Sequence, residues 1–202
     1  QAQHYADTLG IRNIQFIHCD FAEFLQTNQQ NFDYIVNHGT YSWVAPAQQQ
    51  QILQISQRYL NPLGIFYLHY MCYPGSSALQ PIQKLLHLVD QHQPSLLRIE
   101  TAKQLFEQLH SYGAFIDYPQ IEGVIQSLKH PAAYLAHEFL SDHWQPLYSV
   151  DVHQNVFQMT QMPYLGSAYP YENLDSISLP EKLQPLVRDT QDPALKEYLK
   201  DI

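Results

Sequence analysis

The pattern of hydrophobic and polar positions predicts alternating helices and short strands over the first 75 residues. Apolar residues recur three or four apart in several segments, and these segments are separated by short runs rich in β-branched and aromatic residues. We predict helices at 1–9, 21–25 and 47–60, strands at 14–17, 32–36 and 65–70, and a turn at 61–64. Such alternation indicates an α/β fold in which right-handed crossovers join parallel strands.

The pattern changes after residue 75, where the strand signals stop and helical periodicity continues. Further helices are predicted at 81–91, 101–112, 121–129 and 132–140. Prolines break the last part of the chain into short pieces, although residues 162–166 could return one strand to the sheet. We therefore divide the chain into an α/β segment at 1–75, a helical module at 76–150 and a C-terminal segment at 151–202.

One stretch, FDYIVNHGTYSWV at residues 32–44, combines a buried strand with a polar loop. The strand is followed by a glycine and by polar or aromatic residues, namely Asn37, His38, Gly39, Tyr41, Ser42 and Trp43. Ligands of open α/β sheets bind at the carboxyl ends of the strands, so this loop is a candidate binding site. A structural turn whose aromatic residues cap the core would have the same composition, and the residues alone leave both interpretations open.

A second candidate is Asp20, which closes the first predicted strand. Its carboxylate could accept a hydrogen bond from an exocyclic amine of a ligand, or it could cap the helix that follows, and the sequence leaves both roles open. No metal site is expected. His137-Glu138 lacks the second histidine that the zinc-protease motif requires, because a serine stands at that position. The cysteines, Cys19 and Cys72, are only a weak signal for a metal.

Composition narrows the expected partners and compartment. The chain has 202 residues, of which 45% are hydrophobic, and a formal net charge of −9. This charge argues against nucleic acid or an anionic membrane as the main partner, because neither attracts an acidic surface. The presence of two cysteines and the absence of any run of 18 apolar residues favour a cytoplasmic protein without a transmembrane helix. The chain starts at Gln1 inside a predicted helix, and we expect a longer protein whose N-terminal part is missing.

Three segments together resemble one known family. They are FDYIVNHGTYSWV at 32–44, YLHYMCYPG at 67–75 and HPAAYLAHEFLSDHWQP at 130–146. They are similar to bacterial class I S-adenosylmethionine-dependent methyltransferases that carry a methyltransferase regulatory domain, a group that includes protein lysine methyltransferases. The resemblance implies the C-terminal half of a Rossmann-like methyltransferase sheet, followed by a mostly helical regulatory module. The family's Gly-rich loop and ribose-binding acidic residue would both lie upstream of Gln1.

The resemblance also implies roles for individual residues, all near the carboxyl ends of the predicted strands. The residues expected to bind the cofactor, S-adenosylmethionine, are Asp20, Phe21, Asn37, His38 and Gly39. The residues expected to act at the transferred methyl group are His38, Tyr41 and Tyr70. The residues expected to line the substrate pocket are Trp43 and Tyr73. The family often has Ser-Tyr-Asn where this chain has His69-Tyr70-Met71, so a substrate-orienting amide is missing at position 71.

The implied function is S-adenosylmethionine-dependent methyl transfer, with a protein lysine as one candidate acceptor and a small molecule as another. In-line displacement at a sulfonium carbon needs orientation and a desolvated pocket. Aromatic faces suit both a sulfonium and an ammonium through cation–π contact. The alternative is a non-catalytic interaction module that keeps a methyltransferase-like fold. The helical module could gate the pocket, bind a partner or form a homodimer, and the sequence leaves these choices open.

Overall fold

The computed structural model describes residues 1–202 as an α/β chain with one small parallel sheet and many helices. The strands are β1 at Phe32–Asn37 and β2 at Leu60–Leu68. The helices are α1 (Ala2–Thr8), α2 (Phe21–Thr27), α3 (Pro46–Tyr59), α4 (Gln80–Leu88), α5 (Ser95–Ser111), α6 (Ile121–Ser127), α7 (Ala132–Phe139), α8 (Ser149–Thr160), α9 (Asp175–Ser178), α10 (Gln184–Asp189) and α11 (Pro193–Asp201). Short 3₁₀ helices occupy Tyr41–Trp43, Ser77–Leu79 and Pro170–Asn173. The predicted α/β class with its helical module is confirmed. None of the helices combines the length and the apolar character that a membrane crossing requires.

The two strands pair in parallel, with Ile35 of β1 beside Phe66 of β2. β2 begins earlier than predicted, because the turn expected at residues 61–64 forms part of the strand. These four residues lie opposite Asp33, and Leu63 takes a left-handed φ of 67° to accommodate the irregular register. The turn signals in the sequence therefore mark a bulged start of the strand instead of a loop before it.

The strand predicted at residues 14–17 is absent, so that prediction is wrong. Ile14 and Ile17 are 48% and 56% exposed, and no strand pairs with this segment. An apolar run becomes a strand only when another backbone satisfies its N–H and C=O groups. In a doubly wound sheet of order 3-2-1-4-5-6, the third and fourth strands are not neighbours. If residues 14–17 correspond to the third strand and β1 to the fourth, β1 is not the natural partner of this segment.

The strand considered at residues 162–166 is also absent. This segment packs against α8, where the ring of Tyr164 stacks on His153 with the centroids 4.0 Å apart. The chain meets the end of the sheet at Leu147 instead. Leu147 N donates to the carbonyl of Met71 at 2.9 Å, and Leu147 O accepts from the N–H of Tyr73 at 3.0 Å. A single parallel bridge therefore takes the place of the extra strand.

The buried apolar residues form two clusters. The larger is the core of the helical module, and its members are Ile82, Leu86, Val89, Ile99, Ala102, Phe106, Ile121, Val124, Leu128, Leu135, Phe139 and Trp144. The smaller joins the end of the sheet to α3 and α8 through Tyr41, Ile52, Leu53 and Val152. Helices α4 to α7 confirm the four helices predicted in this module, although α5 begins earlier than expected, at Ser95. The C-terminal segment folds back on the α/β segment, since α8 packs on α3 and α11 packs on α8.

The loop after β1 ties the α/β segment to the helical module. Ser42 is fully buried, and its Oγ accepts a hydrogen bond from the N–H of Met71 at 2.8 Å. The carbonyl of Ser42 accepts a second bond from the N–H of Gln145 at 2.8 Å. The neighbouring Trp43 packs against the core of the helical module, and its indole Nε1 donates to the carbonyl of Glu138 at 3.0 Å. One loop thus contacts the residues after β2 and the end of the module.

Replacing Ser42 with alanine is expected to lower the free energy of unfolding by about 2 kcal/mol, because the Met71 N–H loses its acceptor inside the protein. Ser56→Ala is the matched control. Ser56 is equally buried, but its hydroxyl donates to Leu53 within α3, where alanine is the better helix former. Urea unfolding followed by circular dichroism measures both variants. Equal losses in the two variants would contradict a stabilising role for the Ser42 link.

Replacing Gly64 with alanine is expected to destabilise the start of β2 by about 1–3 kcal/mol through overpacking. A methyl group there would lie 2.8 Å from Leu60 Cγ and 2.9 Å from the carbonyl oxygens of Asn61 and Asp33. Gly123→Ala in α6 is the control, because a methyl group there meets nothing within 4 Å and alanine favours a helix. Thermal unfolding should show a lower Tm for Gly64→Ala alone. An unchanged Tm for that variant would mean that the bulged strand relaxes without cost.

Candidate functional site

Two adjoining cavities share a wall formed by the end of the 14–20 segment and the start of α2. They measure about 330 and 280 Å³, and both are lined by Cys19, Asp20 and Phe21. The first cavity reaches α3 at Gln48 and Gln51. The second reaches further, to Phe24, to Ile52 and Ile55 of α3, and to the last residues of β1, Ile35, Val36 and Asn37. The cavities therefore lie at the carboxyl end of β1, where ligands of α/β sheets bind.

Asp20 has a structural role that its position in the sequence predicted. It is the N-cap of α2, and its Oδ1 accepts a hydrogen bond from the backbone N–H of Glu23 at 2.7 Å. The carboxylate makes no salt bridge and accepts no other hydrogen bond from the protein, and the residue is exposed on the shared cavity wall. The cap and the ligand-binding role are therefore compatible, because capping uses one oxygen only. The ligand-binding role of Asp20 stays a prediction, as does that of Phe21 beside it.

Asn37 carries an unsatisfied polar atom in the wall of the second cavity. Its backbone carbonyl accepts a bond from the N–H of His69 at 2.9 Å, which extends the pairing of the two strands by one residue. Its side-chain Oδ1 is buried and has no hydrogen-bond partner. Leaving a buried acceptor unpaired costs free energy, so this oxygen suits a ligand that brings a hydrogen-bond donor. Among the predicted cofactor-binding residues, Asn37 has the clearest physical signal.

His38 and Gly39 follow Asn37 but line neither cavity. The His38 ring stacks on His69 with the centroids 4.5 Å apart, and it also faces Tyr67. Burial, together with the charge that His38 can carry, lowers the pKa of His69. Gly39 has a φ of 72°, a left-handed conformation that favours glycine and turns the chain towards Tyr41. The structure thus places His38 on an aromatic stack beside the strand ends, and its predicted catalytic role stays a prediction.

Tyr41 and Tyr70 come together although they follow different strands. Their ring centroids are 6.5 Å apart with the planes at 60°, an edge-to-face contact. Burial raises the pKa of both phenols, and Cys72 and Asp201 nearby raise that of Tyr70 further. Both side chains are therefore neutral at physiological pH. Tyr41 is 3% exposed and belongs to the smaller apolar cluster, whereas Tyr70 is only partly buried, and neither phenol acts as a base in this state.

The two residues predicted to line the substrate pocket lie in different surroundings. Trp43 is turned into the helical module, where its indole bonds to Glu138 as described above. The ring of Tyr73 lies 4.9 Å from that of Tyr148, just before α8, and its hydroxyl accepts a bond from Gln80 Nε2. The two side chains therefore contact different parts of the helical module. Both pocket roles stay predictions.

Several residues near Tyr70 were missed by the sequence analysis. They comprise Ser149 and His153 of α8, Tyr164, and Asp201 of α11. No spacing in the sequence links them to the strands. Elsewhere, Cys19 and Cys72 are free thiols, and no three His, Cys, Asp or Glu side chains form a group able to bind a metal ion.

Comparison with known families and proteins gives consistent matches. The family described as a methyltransferase domain matches residues 1–148, and the predicted methyltransferase regulatory domain matches residues 131–202. An uncharacterised protein of Synechocystis is 30% identical over 206 residues, which cover 100% of this chain and 40% of that protein. A Rickettsia prowazekii protein is 27% identical over 150 residues, which cover 70% of this chain and 26% of that protein.

Two solved structures have a similar fold. They are PKMT2 from Rickettsia typhi and the same protein in complex with AdoHcy, and each has a TM-score of 0.76 at 22% identity. The similarity covers 98% of this chain and 38% of PKMT2, so the chain spans less than half the length of these relatives. The regulatory match begins at residue 131, inside our helical module, and the boundaries that we predicted near residues 75 and 150 stay predictions. With the methyltransferase-domain match extending over residues 1–148, the chain belongs to the methyltransferase family and carries the methyltransferase regulatory domain at its C-terminal end.

Proposed function

We propose that this chain takes part in methyl transfer from S-adenosylmethionine to the side-chain amine of a protein lysine. The observation that carries the proposal is the pair of cavities at the carboxyl end of β1, lined by Asp20, Phe21 and the unsatisfied Asn37. The methyltransferase match supports the same reaction class. PKMT2, which has a similar fold, has been solved in complex with AdoHcy, and this also supports a nucleoside-bearing cofactor here.

The residues of the cavities fit the adenosine end of such a cofactor. The free oxygen of Asp20 can accept a hydrogen bond from the adenine amine while the other oxygen caps α2. The ring of Phe21 lies in the same wall and can border the adenine. Asn37 Oδ1 offers the acceptor that a cofactor N–H or O–H would satisfy. Each of these residues would bind the cofactor through an atom that the fold leaves available.

The neighbouring tyrosines fit the methyl-transfer side of the site. S-adenosylmethionine supplies a methyl group bonded to a positively charged sulfur. A nucleophile takes this methyl group by in-line displacement. Tyr70 is neutral and partly buried, so its face can orient a positively charged group without adding charge of its own, while the buried Tyr41 holds the Tyr70 ring edge-to-face. Partial exclusion of water strengthens such contacts. The protein's contribution in this scheme is orientation and desolvation.

The choice of a lysine acceptor rests on charge and on the family resemblance. The net charge of −9 favours the approach of a lysine-bearing protein over that of an anionic metabolite. The aromatic face of Tyr70 suits an ammonium group. A non-catalytic interaction module is the competing function, and it would keep the fold without binding the cofactor.

Calorimetric titration with AdoHcy tests the cofactor site. We expect Asp20→Asn to weaken binding about tenfold, because a charge-assisted hydrogen bond becomes a neutral one. Asparagine is as good an N-cap as aspartate, so α2 should stay intact. Asp192→Asn is the matched control, since Asp192 caps α11 with the same geometry, accepting from Leu195 N at 2.7 Å, outside the cavities. The titration should be run on this chain and on any longer natural protein that contains it. Absence of binding in both, with the proteins folded, would favour the interaction module.

Radiolabelled methyl transfer to a lysine peptide tests the acceptor side, in whichever of these proteins binds AdoHcy. Tyr70→Phe keeps the aromatic face and should retain most of kcat/KM, whereas Tyr70→Leu should lose about tenfold because the cation–π contact is removed. Tyr112→Leu, at an exposed tyrosine of the helical module, is the control and should match the unmodified protein. A loss of the same size in Tyr70→Phe and Tyr70→Leu would contradict the orienting role of the ring. Transfer to small acidic metabolites in preference to the lysine peptide would contradict the lysine acceptor.

A further inference from the structure

The C-terminal segment brings tyrosines and an acidic side chain up to the residues that follow β2. The rings of Tyr73 and Tyr148 are 4.9 Å apart, and Tyr148 meets Tyr198 of α11 edge-to-face at 6.0 Å. On the other side, α8 bonds to Asp201 through the hydroxyl of Ser149 and stacks His153 on Tyr164 at 4.0 Å, and both Asp201 and Tyr164 raise the pKa of Tyr70. We call this surface the C-terminal tyrosine patch, and its members are Tyr70, Tyr73, Tyr148, Tyr164, Tyr198 and Asp201.

Direct contacts connect the patch to the end of the sheet. Leu147, just before α8, donates its N–H to the carbonyl of Met71 at 2.9 Å and accepts from the N–H of Tyr73 at 3.0 Å. The hydroxyl of Ser149 donates to Oδ2 of Asp201. Ser149 of α8 thus fixes the position of the Asp201 carboxylate near the end of β2. The patch is partly open to solvent, since Tyr148 is 42% and Tyr164 50% exposed.

The carboxylate of Asp201 has no cationic partner. Burial is the main cause that raises the pKa of this group, and neighbouring Glu197 raises it further, although Ser149 and His153 act in the opposite direction. The adjacent cation, Lys200, is already bound to Asp175 at 3.0 Å and to Glu197 at 3.2 Å. A half-buried carboxylate near tyrosine rings, whose neighbouring lysine is bound to two other carboxylates, suits an external ammonium group.

His153 does not supply the missing positive charge. Its ring stacks on Tyr164, and burial lowers its pKa although the nearby acids Glu197 and Asp201 raise it. The imidazole is therefore neutral at physiological pH and contributes a flat aromatic surface to the patch. The patch offers a cation several aromatic faces and one carboxylate, and the nearby cation, Lys200, is bound to Asp175 and Glu197.

The charge distribution along the chain favours the same partner. Residues 131–202 contain ten acidic and four basic side chains, a net charge of −6, whereas residues 1–130 contain nine acidic and six basic, a net charge of −3. Most of the chain's negative charge thus lies in the shorter part that carries the patch. Long-range attraction would guide a basic segment to this part first.

We propose that the C-terminal tyrosine patch docks a lysine-bearing segment of a protein substrate, with the lysine ammonium between Asp201 and the tyrosine rings. This proposal rests on the proposed function, because docking a lysine matters only if that lysine is the methyl acceptor. The docking itself needs no cofactor. Residues 131–202, which match the regulatory domain, would then act by recognising the acceptor next to Tyr70. Asp201 is a specificity-determining residue in this scheme and takes no part in the methyl transfer.

The test is a calorimetric titration of this chain, without cofactor, with two peptides of the same Gly/Ser-rich sequence carrying one central lysine or one acetyl-lysine. We expect the lysine peptide to bind about fivefold more tightly, because acetylation removes the charge and keeps most of the shape. Asp201→Asn should abolish this difference. Asp189→Asn is the matched control, because Asp189 is a surface acid of α10 that bonds to Arg188 away from the patch. Thermal unfolding establishes that each variant is folded.

A second variant separates the rings from the charge. Tyr164→Leu keeps Asp201 but removes one aromatic face, and it should weaken binding of the lysine peptide about threefold. Tyr112→Leu serves as its control. Equal affinity for the two peptides would overturn the proposal, as would a preference that survives Asp201→Asn or is lost equally in Asp189→Asn. Since no cofactor is present, a failed AdoHcy titration would reject the proposed function alone, and a failed peptide titration would reject the docking alone.

Discussion

The parallel pairing of β1 with β2 is the constraint on which the rest of this structure depends. It fixes two strand ends side by side, and the N–H of His69 bonding to the carbonyl of Asn37 carries the pairing to the first loop residue. Asn37 and Tyr41 then lie at or just after the end of β1, and Tyr70 lies just after the end of β2. Tyr41 and Tyr70 can meet only because the strands that precede them end at the same edge of the sheet.

The two sides of that edge have different chemical characters. On the side of α2 and α3, the cavities contain a free carboxylate oxygen and an unpaired amide oxygen, both acceptors that need donors from a ligand. On the side of α8 and α11, the surface is aromatic and acidic, and the lysine next to Asp201, Lys200, is bound to Asp175 and Glu197. A donor-bearing nucleoside and a positively charged acceptor would therefore approach the strand ends from opposite sides. Such separation suits an in-line reaction, in which the methyl donor and the methyl acceptor lie on opposite sides of the methyl group.

The sequence predicted what depends on local pattern and missed what depends on distant contacts. The cap at Asp20 and the helices at α1, α3 and α4–α7 follow from spacing and end signals that operate within one or two turns. The strand at residues 14–17 failed because an apolar run needs a partner backbone, which no local pattern reveals. The indole of Trp43 bonds to Glu138, 95 positions later, and Ser149 bonds to Asp201, so neither contact has a signature in the nearby sequence. Among the candidate cofactor residues, His38 and Gly39 could be named because they follow a strand and Asp20 because it caps a helix, whereas the C-terminal tyrosine patch is formed by distant contacts.

The bonds of Ser42 have a mechanical consequence for the residues after β2 and the end of the helical module. Its hydroxyl is bonded to the N–H of Met71 and its carbonyl to the N–H of Gln145, alongside the direct bond between Leu147 and Met71, so the two segments are held together. A shift of the segment around Gln145 by a fraction of an ångström must either stretch one of these bonds or drag Met71 with it. Dragging Met71 would re-aim the adjacent Tyr70 ring, because packed elements respond to small shifts by switching between discrete arrangements. A displacement that starts in the helical module therefore reaches the geometry at the strand ends through hydrogen bonds.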